Sequence, residues 1–117
     1  MKRIYNATLN SIRGIRYGVV HEAAIREEAI LLVAGLLLGL LIAPSVVWYM
    51  LLVGSLLVLL GIELLNTAIE KLADHVTPEH HIDILRIKDY GSAAVFCGIC
   101  LAGVTWLAAL AVRLGLI

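Results

Sequence analysis

The chain has 117 residues, of which 62% are hydrophobic and only 15% charged, and its mean hydropathy is +0.98. Soluble domains carry about 45–50% apolar and about 25% charged residues, so this composition excludes a disordered segment, a disulfide scaffold and a nucleic-acid-binding domain, and it indicates a membrane protein. Nine basic residues balance nine acidic ones, so the information lies in where the charges fall rather than in their sum. A chain of this length is read as a single membrane domain, 1–117.

Residues 3–20 predict an amphipathic helix lying on the membrane surface. Ile4, Ala7, Ile12, Ile15 and Val19 share a stripe at helical spacing, and Arg3, Asn6, Asn10 and Arg13 take the other side. An apolar stripe with basic anchors suits an interface with anionic lipid. The 28 residues ahead of the first apolar run hold Glu22, Glu27 and Glu28 among the basic residues, which does not match a cleaved signal peptide.

Ala29–Ile62 is a run of 34 residues without a charge. As helix it would be about 51 Å long, too long for one crossing of a hydrocarbon core about 30 Å thick. Ala43-Pro44-Ser45 is the natural break, because proline lacks an N–H and disfavours helix at the residue before it. Two spans are therefore predicted, at about 25–43 and 46–72, the first beginning among charged residues. Thr77-Pro78-Glu79-His80-His81 marks a loop. Tyr90–Val112 is a second uncharged run of 23 residues, giving a third span at about 90–112. The expected fold is an all-α membrane protein with an N-terminal surface helix and three transmembrane helices. Residues 1–28 hold Lys2, Arg3, Arg13, Arg16 and Arg26, and the stretch 71–89 holds Lys71, Arg86 and Lys88. The Pro44 turn has no basic residue and the C-terminus only Arg113. Basic loops stay inside, so the N-terminus and the 71–89 stretch are expected on the cytoplasmic side.

The second span ends in Glu63-Leu64-Leu65-Asn66-Thr67-Ala68-Ile69-Glu70. On a helix Glu63, Asn66, Thr67, Glu70 and Asp74 fall within about 100° of one another, with apolar residues covering the rest. Polar residues in a membrane helix face a bundle interior or a wet cavity. Glu63 lies about 26 Å along the helix from Val46, near the cytoplasmic boundary. Two further clusters flank that boundary: His21-Glu22-Ala23-Ala24-Ile25-Arg26-Glu27-Glu28 at the entry to span one, and Arg86-Ile87-Lys88-Asp89-Tyr90-Gly91-Ser92 at the entry to span three. Convergence of Glu22, Glu63, Asn66, Glu70, Lys88 and Asp89 at one level suits a magnesium–phosphate site, since magnesium takes one or two carboxylates together with substrate phosphates. A further carboxylate can accept a proton from a hydroxyl nucleophile. There is no Walker loop, no G-x-G-x-x-G and no H-R-D signature, so a nucleotide site here is of an unrelated kind.

Glu63–Glu70, Lys88-Asp89-Tyr90-Gly91-Ser92-Ala93-Ala94-Val95 and Glu22-Ala23-Ala24-Ile25-Arg26-Glu27-Glu28 together resemble the small integral-membrane diacylglycerol kinases of prokaryotes. The third segment departs from that family's pattern at Ile25 and Glu27. The resemblance covers about Arg3 to the end of span three. It implies an inner-membrane homotrimer that moves the γ-phosphate of ATP to diacylglycerol, with Mg2+ as cofactor. It implies Glu63 as catalytic base, Glu22 and Glu70 as magnesium ligands, and Asn66, Lys88 and Asp89 as residues that contact nucleotide or order the site. Glu79 and His81 match a loop motif beside the nucleotide, with His80 in place of the usual Tyr. Arg3 matches an arginine near the phosphates and the lipid, and Ser92 a residue near the lipid. Asn10 stands where some members place Tyr against the nucleotide.

Other features have plainer readings. Cys97 and Cys100 form C-x-x-C inside span three, without the βαβ context of a redox motif, and are read as small apolar side chains. Gly35 and Gly39 form G-x-x-x-G, a pattern that permits close helix packing. His75, His80 and His81 with Glu79 and Asp83 are read as a solvated loop cluster. Trp48, Tyr49 and Trp106 fit interface belts or core packing. Two other functions stay open on the residues alone: an undecaprenol kinase of the same fold, and a small oligomeric transporter in which Glu63 carries a proton or cation. A transporter needs a path through both leaflets, and the outer half has no charge to line one.

Overall fold

The computed structural model describes residues 1–77 and 79–117, and among these the chain forms four α-helices and no strand. They are α1 (Lys2–His21), α2 (Ala23–Ile42), α3 (Val46–Val76) and α4 (Ile82–Arg113).

The breaks fall where local chemistry places them. α1 and α2 are separated by one residue, Glu22, whose backbone is extended (φ −119°, ψ 116°). Arg26 holds this elbow: its guanidinium donates to the carbonyls of Val19 and Val20 at 3.2 and 3.3 Å, acceptors left over at the end of α1. Ala43-Pro44-Ser45 separates α2 from α3, as its proline predicts, and the Ser45 hydroxyl caps α3 by accepting from the Trp48 N–H at 3.3 Å. His81 caps α4, its Nδ1 accepting from the Asp83 N–H at 3.2 Å. Within the expected 77–81 loop, Pro78 lies outside the described residues.

Both long helices outrun their uncharged segments. α3 continues to Val76 rather than stopping near residue 72, and α4 begins at Ile82 rather than near Tyr90. Leu, Ala, Glu, Lys and Arg are good helix formers, so a helix has no reason to end where the hydrocarbon does. At 31 and 32 residues these helices are about 46 and 48 Å long. α3 and α4 are long and apolar enough to cross a membrane. α2 carries Arg26, Glu27 and Glu28 in its first two turns, and only Ala29–Ile42 is uncharged, about 21 Å of helix.

α3 is the central helix, with α2 on one side and α4 on the other. α4 turns a seam toward α3 in which the small, buried Gly91, Gly98, Ala102 and Ala109 alternate with Val95 and Trp106 at three- to four-residue spacing. Leu56, Leu59 and Ala102 form the buried centre, with Leu32, Val95 and Trp106 packed on it. A Cβ on Gly98 would lie 3.0 and 3.1 Å from the tips of Leu59 and Ile62. Close backbone approach of this kind replaces the hydrophobic drive that lipid removes. The Gly35/Gly39 pair has the packing role its spacing allows: both are buried, one against Leu56 and Trp106, the other against Tyr49. The aromatics tie the helices together, Tyr49 donating to the Leu36 carbonyl (2.8 Å) and Trp106 to that of Leu52 (3.3 Å). Cys97 and Cys100 are free thiols on the exposed side of α4. Large apolar side chains such as Leu37, Leu41, Val58, Val104 and Leu107 are exposed on the outer faces, as expected where the solvent is lipid or another chain.

α1 stands apart from this packing. Only Gly18 is buried on it, against Ile25, while Ile4, Leu9, Ile12 and Ile15 are exposed. A cavity of about 920 Å³ separates it from α3. The apolar stripe seen in the sequence is therefore not consumed by docking onto α3 and α4.

Candidate functional site

The inward stripe of α3 runs through Leu52, Leu56, Leu59 and Leu60 and then passes without a break into Glu63 and Asn66, both buried. A helix that packs along its whole length must carry its polar residues into the interface when the stripe reaches them. Asn66 Nδ2 donates to Glu70 Oε1 at 3.2 Å one turn further on. This bond fixes the amide, leaving Asn66 Oδ1 buried without a partner. Gly91 of α4 lies directly over that oxygen, and any Cβ there would collide with it. The same Gly91 that lets α4 approach α3 therefore shapes the wall over Asn66.

α2 supplies a residue that the sequence reading left out of the site. Ile25, Glu28, Leu32, Gly35 and Gly39 recur at alternating three- and four-residue spacing, and Ile25, Gly35 and Gly39 are buried with Leu32 against the core. Glu28 is thus on the inward stripe while Glu27 is exposed. Its Oε2 is buried and unpartnered, and its carboxyl group is near enough to Glu63 for the two to interact. The three- and four-residue spacing within α2 was the available signal.

Two ion pairs border this centre. Lys71 Nζ lies 2.9 Å from Glu22 Oε1, joining the α1–α2 elbow to α3. Lys88 Nζ lies 2.7 Å from Asp74 Oδ1, joining α4 to α3. The Lys88 ammonium holds the Asp74 carboxyl below the usual carboxylate range. Of the predicted residues, the structure gathers Glu63, Asn66 and Glu70 on one face of α3. It brings Glu22 to the turn that carries Glu70 and Lys71, and Lys88 to the turn above. Arg3, Asn10, Glu79, His81, Asp89 and Ser92 are exposed. Asn10 bonds the neighbouring Arg13 and His81 caps its own helix. Among the described residues no hydrogen bond or ion pair connects these six side chains to the Glu63–Glu70 face, and no set of three or more His, Cys, Asp or Glu side chains converges in metal-binding geometry. The oxygen donors present include the carboxylates of Glu28, Glu63 and Glu70, the Lys71-paired carboxylate of Glu22 and the unpartnered amide oxygen of Asn66. All are hard donors of the kind magnesium selects.

The fold and site define a class: a helical protein with membrane-length helices and a buried carboxylate–amide face near the end of one of them. Comparison with known proteins identifies the member. The model of the family described as prokaryotic diacylglycerol kinase matches residues 9–110. The chain is similar to a diacylglycerol kinase of Pseudomonas aeruginosa (38% identical over 106 residues, covering 91% of this chain and 86% of that protein). It is also similar to those of Escherichia coli K12 (34% over 104 residues, 89% and 85%) and Haemophilus influenzae (31% over 106 residues, 91% and 90%). The chain belongs to the prokaryotic diacylglycerol kinase family.

Proposed function

We propose that this chain transfers the γ-phosphate of ATP to the hydroxyl of diacylglycerol, giving phosphatidic acid, with Glu63 as the base that takes the hydroxyl proton. Membership of the family makes it a lipid kinase. The observation that carries the residue assignment is the buried Glu63 one turn before the Asn66–Glu70 pair, on a helix long enough to cross a membrane. Phosphoryl transfer asks for positioning and charge neutralisation more than for covalent chemistry. Glu63 and Glu70 stand two turns apart on one face, about 10 Å by helical rise, which leaves room for a lipid hydroxyl at one end and a phosphate chain at the other.

Glu22 and Glu70 are the residues that would hold magnesium, which supplies neutralisation of the charge developing on the phosphoryl oxygens. Asn66 orients the Glu70 carboxylate through its amide. Lys88, a point charge for phosphate, with Asp89, Arg3, Asn10, Glu79 and His81, contacts the nucleotide, and Arg3 and Ser92 contact the lipid. All of these except Lys88 are left apart within one chain, which fits a site completed by substrate and by neighbouring chains of a homotrimer. α2, α3 and α4 would make three spans of a bacterial inner membrane, with α1 on its cytoplasmic surface. Glu28 completes the wall behind Glu63.

The test is a magnesium-dependent assay in mixed micelles with labelled ATP and diacylglycerol, undecaprenol or no lipid. Label in phosphatidic acid is the expected result. Label only in undecaprenyl phosphate would move the substrate to an isoprenoid alcohol, and label in neither, from folded protein, would remove the kinase reading.

A further inference from the structure

Glu22 already has a cation beside it, and that cation belongs to the protein. The elbow leaves Glu22 between two helices, with Lys71 Nζ 2.9 Å from Oε1. Lys71 follows Glu70 directly, so the turn of α3 that offers one proposed metal ligand also offers a competitor for the other. Lys71 and Glu22 line the same cavity beneath α1. An ammonium paired with a carboxylate engages the same oxygen lone pairs that a divalent cation requires.

We propose that Lys71 competes with the divalent cation for the Glu22 carboxylate and so sets the cation concentration at which the site fills. This rests on the reading of Glu22 as a metal ligand. Two observations make Lys71 a competitor rather than a structural strut. The ammonium is open to water, with side-chain exposures of 65% for Lys71 and 26% for the half-buried Glu22, and pairs reached by water are weak enough to exchange. The elbow also has its own fastening in the Arg26 bonds to Val19 and Val20, so the pair can open while the turn keeps its shape. Because the ammonium is tethered, its local concentration is constant, and it acts as a fixed threshold against the cation. The strength of exposed ion pairs corresponds to a shift of about two- to five-fold in cation affinity.

The experiment titrates Mn2+ alone into the purified full-length protein in detergent micelles, read by electron paramagnetic resonance. Lys71→Met should bind Mn2+ about two- to five-fold more tightly than wild type, while Lys71→Arg, which keeps the pairing, should bind no more tightly. Unchanged or weaker affinity in Lys71→Met overturns the proposal, as does the absence of measurable binding in both proteins. Glu22→Gln separates the two readings. If Lys71→Met gains nothing but Glu22→Gln loses Mn2+, only the competition fails. If Glu22→Gln in the Lys71→Met background keeps the tight binding, Glu22 is not a ligand and the metal assignment itself fails.

Discussion

At the scale of single residues, the site is a statement about which side chains a packed stripe is obliged to bury. Glu63 is 6% exposed and Asn66 8%, on a helix whose other buried residues are mostly leucine and alanine. Such burial is costly unless the groups are used. Glu63→Gln keeps the shape and removes the proton acceptor. A general base contributes about 10²- to 10⁴-fold, so kcat should fall by that factor while ATP binding, measured by equilibrium titration with a non-hydrolysable analogue, stays near wild type. Turnover like that of wild type would take the base role away from Glu63. The grouping of Glu63, Asn66 and Glu70 was legible because helical geometry alone sets 63, 66 and 70 on one face. Glu28 was not singled out, because Glu27 and Glu28 look alike in a charged run, and only the spacing from Ile25, Leu32, Gly35 and Gly39 tells them apart. The pairing of Lys71 with Glu22 and of Asp74 with Lys88 was likewise hidden, since a cross-helix ion pair depends on where the elbow and α4 come to rest.

At the scale of helices, two glycines in one seam carry different duties, and this gives a paired prediction. A methyl group at Gly98 meets the ends of Leu59 and Ile62 at 3.0 and 3.1 Å, flexible tips that can give. A methyl group at Gly91 meets the amide oxygen of Asn66, which is held by its bond to Glu70. Overpacking costs about 1–3 kcal/mol in general. Gly98→Ala should therefore lower thermal stability in detergent slightly and leave kcat within about two-fold. Gly91→Ala should displace Asn66 and lower kcat by about ten-fold or more, even where its unfolding temperature matches that of Gly98→Ala. Equal effects of the two on kcat would show that Gly91 acts through packing alone. The helices themselves were readable from the uncharged runs and from Pro44. Their ends at Val76 and Ile82 border the 77–81 loop that Pro78 marks, but they lie beyond the uncharged runs, because hydropathy records where lipid stops, whereas helix continues through Lys71, Asp74, Arg86 and Lys88 for reasons of backbone propensity and the His81 cap.

At the scale of the whole molecule, the ends of α3 and α4 explain why the site sits where it does. α3 is about 46 Å long against a core of about 30 Å, so in the proposed crossing about 16 Å of it would protrude. The protruding end is the one that bears Lys71, Asp74 and His75, and α4 protrudes beside it with Arg86, Lys88 and Asp89. The turn at the other end of α3 carries no charge. Basic segments stay on the cytoplasmic side, so in the proposed topology both protrusions would face the compartment that holds ATP, and Glu63 would lie just within the lipid boundary beneath them. This ordering can be checked with single cysteines in a chain whose Cys97 and Cys100 have been replaced by alanine. Val46→Cys and His80→Cys both sit at exposed positions at opposite ends of the α3 crossing. A membrane-impermeant maleimide applied to intact spheroplasts should label Val46→Cys, and should reach His80→Cys only after permeabilisation. Labelling of both from outside would mean that α3 does not cross. The reverse pattern would place Glu63, Asn66 and Glu70 on the face away from ATP, and a kinase built on them would have no nucleotide to use.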